Sequence, residues 1–296
     1  MKFVKVLIAI SCFFALLCLV CCCSSSSSDN HAKEQIAQDS VVPEEQIAQD
    51  SVIEVADQKS YVEYKHTYKD AKHFSFSVDY KIDSSLTGVN EKILEELVYI
   101  ATKRRNTDFL SSAKAYADSL YKGYKSQVED GIIEEEFNYE YTNEVEISNV
   151  YDDSYVLSVC VNHSSFEGGA HGNYCSTYYV FNLKTGKQYH LSDLIEENAK
   201  ENVSSLIVDY FVKENKLNKP EELLEVGFID LKDIKVTENF FVNKEGVSFV
   251  YCPYVIACYA NGTQTAFLDW GKWGKGKLIK SGSPFACFIK EYALTH

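Results

Sequence analysis

Apolar residues fall on odd positions at Phe137, Tyr139, Tyr141, Val145 and Ile147 with mostly polar residues between them. That period of two is what an antiparallel strand with one wet face produces. Tyr155, Leu157, Val159 and Val161 continue it, and Tyr174 to Phe181 resume it after a glycine-rich interruption. Upstream, Tyr61 to Tyr68 and Phe74 to Ile82 carry the aromatic and β-branched content of two further strands. The spacing then becomes helical. Asn90 is placed to cap a helix with Ile93, Leu97, Ile100 and Ala101 on its core side, and Leu110, Ala113, Ala117, Leu120, Tyr121, Tyr124 and Val128 mark a second helix that closes at Asp130-Gly131. Asn182 to Lys187 reads as a tight turn around Gly186, and Ser192 or Asp193 is expected to cap a third helix. That helix has Glu196 and Glu197 in its first turn and a stripe of Val203, Leu206, Ile207, Tyr210 and Phe211, with Pro220 at its exit. Phe240 to Val242 and Val247 to Tyr251, joined through Gly246, form a hairpin. The expected class is α+β, with helices packed on antiparallel sheets.

The first residues follow other rules. Lys2 and Lys5 precede an apolar run from Val6 to Val20, the order of a secretory leader. Leu19-Val20-Cys21-Cys22 resembles the bacterial lipobox, in which the cysteine receives diacylglycerol and becomes the mature N-terminus. Cys22 is the expected acceptor, with Cys23 and Cys21 as alternatives. The run is short for a hydrocarbon core of about 30 Å, so the expectation is a leader at 1–21 and an acylated chain held on a membrane surface. Residues 22–60 read as a tether. Ser24 to Ser28 are low in complexity, and EQIAQDSV occurs at 34–41 and again at 45–52, too few copies for a solenoid.

The most pointed stretch is Phe166-Glu167-Gly168-Gly169-Ala170-His171-Gly172-Asn173. Three glycines in five positions describe a backbone that takes positive φ or approaches something closely. Glu167 and His171 flank backbone N–H groups that could cradle an anion or a partner's carbonyl; the plainer reading is a tight reversal between strands.

Composition narrows the function. The chain has 296 residues, 46% hydrophobic and 14% aromatic, enough for a sizeable core. With 29 basic and 43 acidic residues the formal charge is −14, or −16 once Lys2 and Lys5 leave with the leader. Such a field repels nucleic acid and attracts basic partners.

Candidate chemistry is sparse. His163, His171 and His190, with Glu167 or Asp193, make an acid–base or metal set only on paper, because their spacing fits no zinc signature and Ser164 and Ser165 lie in no nucleophile elbow. No cofactor or metal is expected. Five cysteines follow the tether, an odd number: Cys160, Cys175, Cys252, Cys258 and Cys287. Cys160–Cys175 and Cys252–Cys258 are the candidate pairs, against buried thiols. Tyr174, Tyr254 and Tyr259 suit a contact face, whereas Trp270 and Trp273 would either stack on sugar or cap the core.

Gly168-Gly169-Ala170-His171-Gly172-Asn173, then Phe181-Asn182-Leu183-Lys184-Thr185-Gly186-Lys187 with Leu191-Ser192-Asp193-Leu194, then Pro253-Tyr254-Val255-Ile256-Ala257 with Tyr259-Ala260-Asn261-Gly262, occur in that order. Together they resemble the extracytoplasmic domain of RsiV-like anti-sigma factors and the N-terminal region of PdaC-like peptidoglycan deacetylases. The likeness is specific over about Tyr151 to Leu268 and weaker back to Tyr61. It implies an α+β fold in two juxtaposed halves, 61–150 and 151–296, and a lysozyme-binding role. On this reading neither a sigma-binding segment ahead of the apolar run nor a deacetylase domain is expected. The expectation is therefore a non-catalytic, lipid-anchored envelope protein. Its contact residues would be Glu167, Gly168, Gly169, Ala170, His171, Gly172, Asn173, Tyr254, Tyr259, Asn261 and Gly262, and its partner lysozyme, another basic wall-acting protein or wall glycan.

Overall fold

The computed structural model describes residues 60–69, 75–131 and 140–295. The leader, Cys22, the tether repeats, Phe74, Phe137 and Tyr139 lie outside the described residues.

A six-stranded sheet runs in sequence order: β1 (Tyr61–Lys69), β2 (Ser75–Asp83), β3 (Glu140–Asp152), β4 (Val156–Phe166), β5 (Asn173–Asn182) and β6 (Gln188–Tyr189). Neighbours are antiparallel except β2 and β3, which are parallel. A parallel pair needs a long crossover. Here α1 (Glu91–Thr102) and α2 (Phe109–Glu129) supply it. A second sheet, β7 (Phe240–Val242), β8 (Gly246–Tyr251) and β9 (Gln264–Asp269), is wholly antiparallel. It is accompanied by α3 (Leu191–Leu194), α4 (Lys200–Glu214), α5 (Trp270–Gly276) and α6 (Ala286–Thr295). The fold is α+β, mostly antiparallel, with packed helices.

Local chemistry accounts for the boundaries. Asn90 caps α1 by accepting from the Lys92 N–H at 3.0 Å. Asp108 caps α2, which starts with Phe109, so Phe109, Ala113 and Ala117 at four-residue spacing are buried. Leu110, expected on that stripe, is about 100° around the helix and 44% exposed. Tyr155 also departs from expectation. Asp153 accepts from the Tyr155 and Val156 N–H groups in a turn before β4, leaving Tyr155 70% exposed. The third expected helix begins later, at Lys200, because Asp193 is spent one turn earlier, accepting from the His190 N–H at 3.0 Å and pairing with Lys187 at 2.9 Å.

Two cores share the large sheet. Phe76, Tyr80, Leu97, Val145, Val159 and Val161 belong to the first, under α1 and α2. Val156, Val180, Phe211, Phe249, Trp270 and Trp273 belong to the second. β4 is buried on both faces from Val156 to Val161 and feeds both cores, and its buried Ser158 hydroxyl donates to the Val242 carbonyl at 2.7 Å and accepts from the Val242 N–H at 3.2 Å. The expected junction at 150/151 falls within β3.

The two tryptophans are fully buried, Trp270 stacked on Phe288 at 5.3 Å, with both indole N–H groups bonded to the carbonyls of Asn243 and Leu268. They cap the core and offer no surface for stacking on sugar.

Candidate functional site

The glycine stretch forms the corner between β4 and β5, whose last register pair is Ser165 with Asn173. Its glycines serve two needs. Gly168 and Gly169 take φ of 87° and 94°, which a side chain disfavours. Gly172 is required by space, since a Cβ there would come 2.8 Å from the Ser165 carbonyl oxygen. Ala170 and His171 are left exposed at the tip.

His171 turns toward a distant part of the chain. Its Nδ1–H donates to the Gly172 carbonyl at 2.9 Å, which makes the neutral ring's Nε2 an acceptor, 3.5 Å from the Tyr254 hydroxyl. The ring stacks on Tyr259 with centroids 4.0 Å apart, and the Tyr259 hydroxyl donates to the same Gly172 carbonyl at 2.9 Å. Tyr174 meets Tyr259 edge-on at 5.6 Å. The anchor of the corner is thus a carbonyl gripped by two side chains rather than a nest of open N–H groups.

Tyr254 comes from a turn that chemistry would give to glycine. The Val255 N–H donates to the Cys252 carbonyl at 3.1 Å, Pro253 takes the second position, and Tyr254 takes the third with φ of 69°. This is the pattern of a type II turn, whose third position favours glycine or asparagine. An L side chain in that region costs on the order of 1–2 kcal/mol. Tyr254 and Val255 nevertheless project into solvent, 48% and 54% exposed.

A disulfide ties the turn to the corner. Cys175, two residues into β5 from the corner, bonds Cys252 across 77 residues of sequence with Cα atoms 5.1 Å apart. Neither expected pairing occurs. The strand register sets His163 opposite Cys175 and Cys160 opposite Tyr178, so Cys160 and Cys175 point to opposite faces of the sheet. Cys258 instead donates its thiol to Asn261 Oδ1 at 3.0 Å, and Cys160 is buried without a disulfide.

The expected contact residues therefore divide into groups. His171, Tyr254 and Tyr259 come together, joined by Tyr174, while Gly168, Gly169, Ala170, Gly172 and Asn173 give the corner its shape. Asn261 and Gly262 are struts. The Asn261 amide donates to the Val226 carbonyl at 2.8 Å, and Gly262, with φ of 68°, lies against the Tyr174 hydroxyl. Glu167 lies apart from the group, its charge acting on Tyr124 of α2.

The histidines are dispersed. His163 bonds Asn143 at 3.1 Å, and His190 lies 4.0 Å from Glu238. Ser164 donates to the Glu144 carboxylate at 3.0 Å, and Ser165 is buried. Among the described residues no three His, Cys, Asp or Glu side chains gather as a metal site, and no helix is long and apolar enough to cross a membrane.

No curated protein matches the chain. Among solved structures, a DUF3298 family member from Bacteroides fragilis NCTC 9343 superposes with a TM-score of 0.67 at 20% identity, over 78% of this chain and 96% of that one. A DUF3298 family protein from Pseudomonas aeruginosa PAO1 gives 0.51 at 13% identity, over 75% and 94%. At these identities the likeness is one of fold. In sequence, residues 191–271 match the model of the family described as "Protein of unknown function (DUF3298)", a span that holds the Tyr254 turn and Tyr259 but not the glycine corner they pack against.

Proposed function

We propose that this protein is a non-catalytic binding protein of the cell envelope, held on a membrane by lipid on Cys22. Its recognition surface is the corner formed by His171, Tyr174, Tyr254 and Tyr259. The observation that carries the reading is Tyr254, a half-exposed aromatic kept at φ of 69° where glycine would relieve the backbone. Strain of this kind persists where the side chain has a use and the surroundings over-determine it. Aromatics with polar tips on a rigid frame are suited to protein contact, giving area at little entropic cost.

The partner of choice is basic. The chain carries −14, and the resemblance to RsiV-like domains implies a wall-acting protein such as lysozyme, which this surface would sense or blunt. Both tryptophans are buried, so neither supplies the stacking platform that would favour a glycan-binding role.

Two experiments test the reading. Lysozyme titrated against the full chain should bind with an affinity that falls as salt rises, and Tyr254→Ala should weaken it at least about tenfold; absence of salt-sensitive binding removes lysozyme as the partner. Labelled palmitate should enter the native chain and be lost in Cys22→Ser. Unchanged labelling would move the acceptor to Cys21 or Cys23, and no labelling of the native chain would remove the anchor.

A further inference from the structure

Over most of their length the inward faces of β3, β4 and β5 are apolar: Ile147 and Val145, then Leu157, Val159 and Val161, then Phe181 and Tyr179. Toward the glycine corner each strand changes character, one inward row later from β5 to β3: Thr177 lies opposite Val161, His163 opposite Val145, and Asn143 is the next inward position of β3. The change coincides with the end of α1, where Lys103 takes φ of 56° and the helix stops. A cleft of about 220 Å³ opens there between the helices and the sheet, lined by Lys103, Tyr116, His163, Thr177 and Tyr179 over a floor that includes Val145 and Val161.

The histidine in this cleft has a fixed proton. Inside the core the Tyr80 hydroxyl donates to Asn143 Oδ1 at 2.9 Å, which orients the amide so that its Nδ2 meets His163 Nε2 at 3.1 Å. An amide nitrogen only donates, so Nε2 accepts and the neutral ring carries its proton on Nδ1. His163 is itself exposed at the mouth of the cleft, where the protein packed around it, and then the Lys103 charge, hold its pKa below the ordinary imidazole value against an opposing pull from Glu167. Burial also raises the pKa of Tyr116 and Tyr179, which keeps both phenols protonated. Among the described residues, no protein acceptor is found for His163 Nδ1 or for the hydroxyls of Tyr116 and Tyr179.

The cleft thus sets three donors, the His163 Nδ1–H and the Tyr116 and Tyr179 hydroxyls, over an apolar floor, a combination suited to a small ligand that carries acceptors. Lys103 lines the cleft and no described carboxylate does, while at Tyr116 the Arg104 charge is opposed by that of Glu167, on a protein of net charge −14. The volume is below the roughly 300 Å³ at which drug-sized pockets begin, so the ligand is small. We propose that this cleft binds a small organic carboxylate, its oxygens taken by His163 Nδ1–H and the hydroxyls of Tyr116 and Tyr179, and its apolar body laid on Val145 and Val161. The site is separate from the His171 corner and does not depend on the partner assigned there.

The test is to titrate the purified full chain with benzoate, hexanoate and benzylamine by calorimetry and saturation-transfer NMR. At least one of the two carboxylates should bind saturably below about 10 mM while benzylamine does not. The double variant Tyr116→Phe, Tyr179→Phe removes two hydroxyls and no packing area; it should weaken that carboxylate about three- to tenfold per hydroxyl with the melting temperature held. Saturable binding by neither carboxylate, benzylamine binding as tightly as either, or undiminished binding by the double variant each overturns the proposal.

Discussion

Two stretches of this chain look alike in sequence and end in opposite places. Trp270-Gly271-Lys272-Trp273-Gly274 and the pair formed by Gly169 to Tyr174 with Tyr254 to Gly262 both set aromatics among glycines. The tryptophans go entirely inside, because α5 is capped by Asp269 at the end of β9 and turns both indoles into the second core, where each N–H finds a carbonyl. The tyrosines stay at the surface. A disulfide, a register-fixed corner and a turn at positive φ hold them in place, so their exposure does not depend on apolar burial. Glycine next to an aromatic therefore says little by itself. What decides is whether the frame beneath the ring is hydrophobic packing or backbone geometry.

That contrast can be broken at several points, in descending order of effect. Trp273→Ala should remove the most stability, about 3–5 kcal/mol, read as a lowered denaturant midpoint, because it empties a fully buried site. If the loss is under about 1 kcal/mol, the indole is not a core element. Replacing Cys175 and Cys252 together by serine opens a link spanning 77 residues and should cost about 2–4 kcal/mol, with binding at the corner lost as well. Reduction with dithiothreitol should reproduce the melting shift in the native chain and have no effect on the double variant. Gly172→Ala, which drives a methyl against the Ser165 carbonyl, should cost about 1–3 kcal/mol and loosen the His171–Tyr259 stack, seen as loss of ring-current shifts in the Tyr259 resonances.

Much of the frame was legible beforehand, since it follows from local rules. Asn90 caps its helix, the stripe Val203, Ile207 and Phe211 is buried, and the hairpin at Phe240 to Tyr251 forms where its turn residues set it. The errors arose from one-residue shifts in phase. Phe109 takes the first helical position and turns Leu110 outward, and Asp153 ends one strand before Tyr155 can join the next. The parallel pairing of β2 with β3 leaves no periodicity of its own. At the candidate site, His171, Tyr254 and Tyr259 could be named individually, yet their meeting depends on contacts more than 80 residues apart. The Cys175–Cys252 bond was hidden for a related reason: near-symmetry about the loop suggested Cys160 as the partner, while the strand register sends Cys160 to the opposite face. Glu167 sits in the same motif as His171 and still turns the other way, to α2.

The central claim is that Tyr254 is kept for what its side chain touches outside the protein, at the expense of its backbone. Tyr254→Gly separates the two directly when unfolding and partner binding are measured on the same preparation. Relief of the positive φ and the added chain entropy of glycine roughly offset, so the midpoint should stay within about 1 kcal/mol of the native value. Binding of lysozyme should fall at least about tenfold. A variant that binds as tightly as the native chain, or one that loses several kcal/mol of stability, would contradict the claim and make Tyr254 a structural residue.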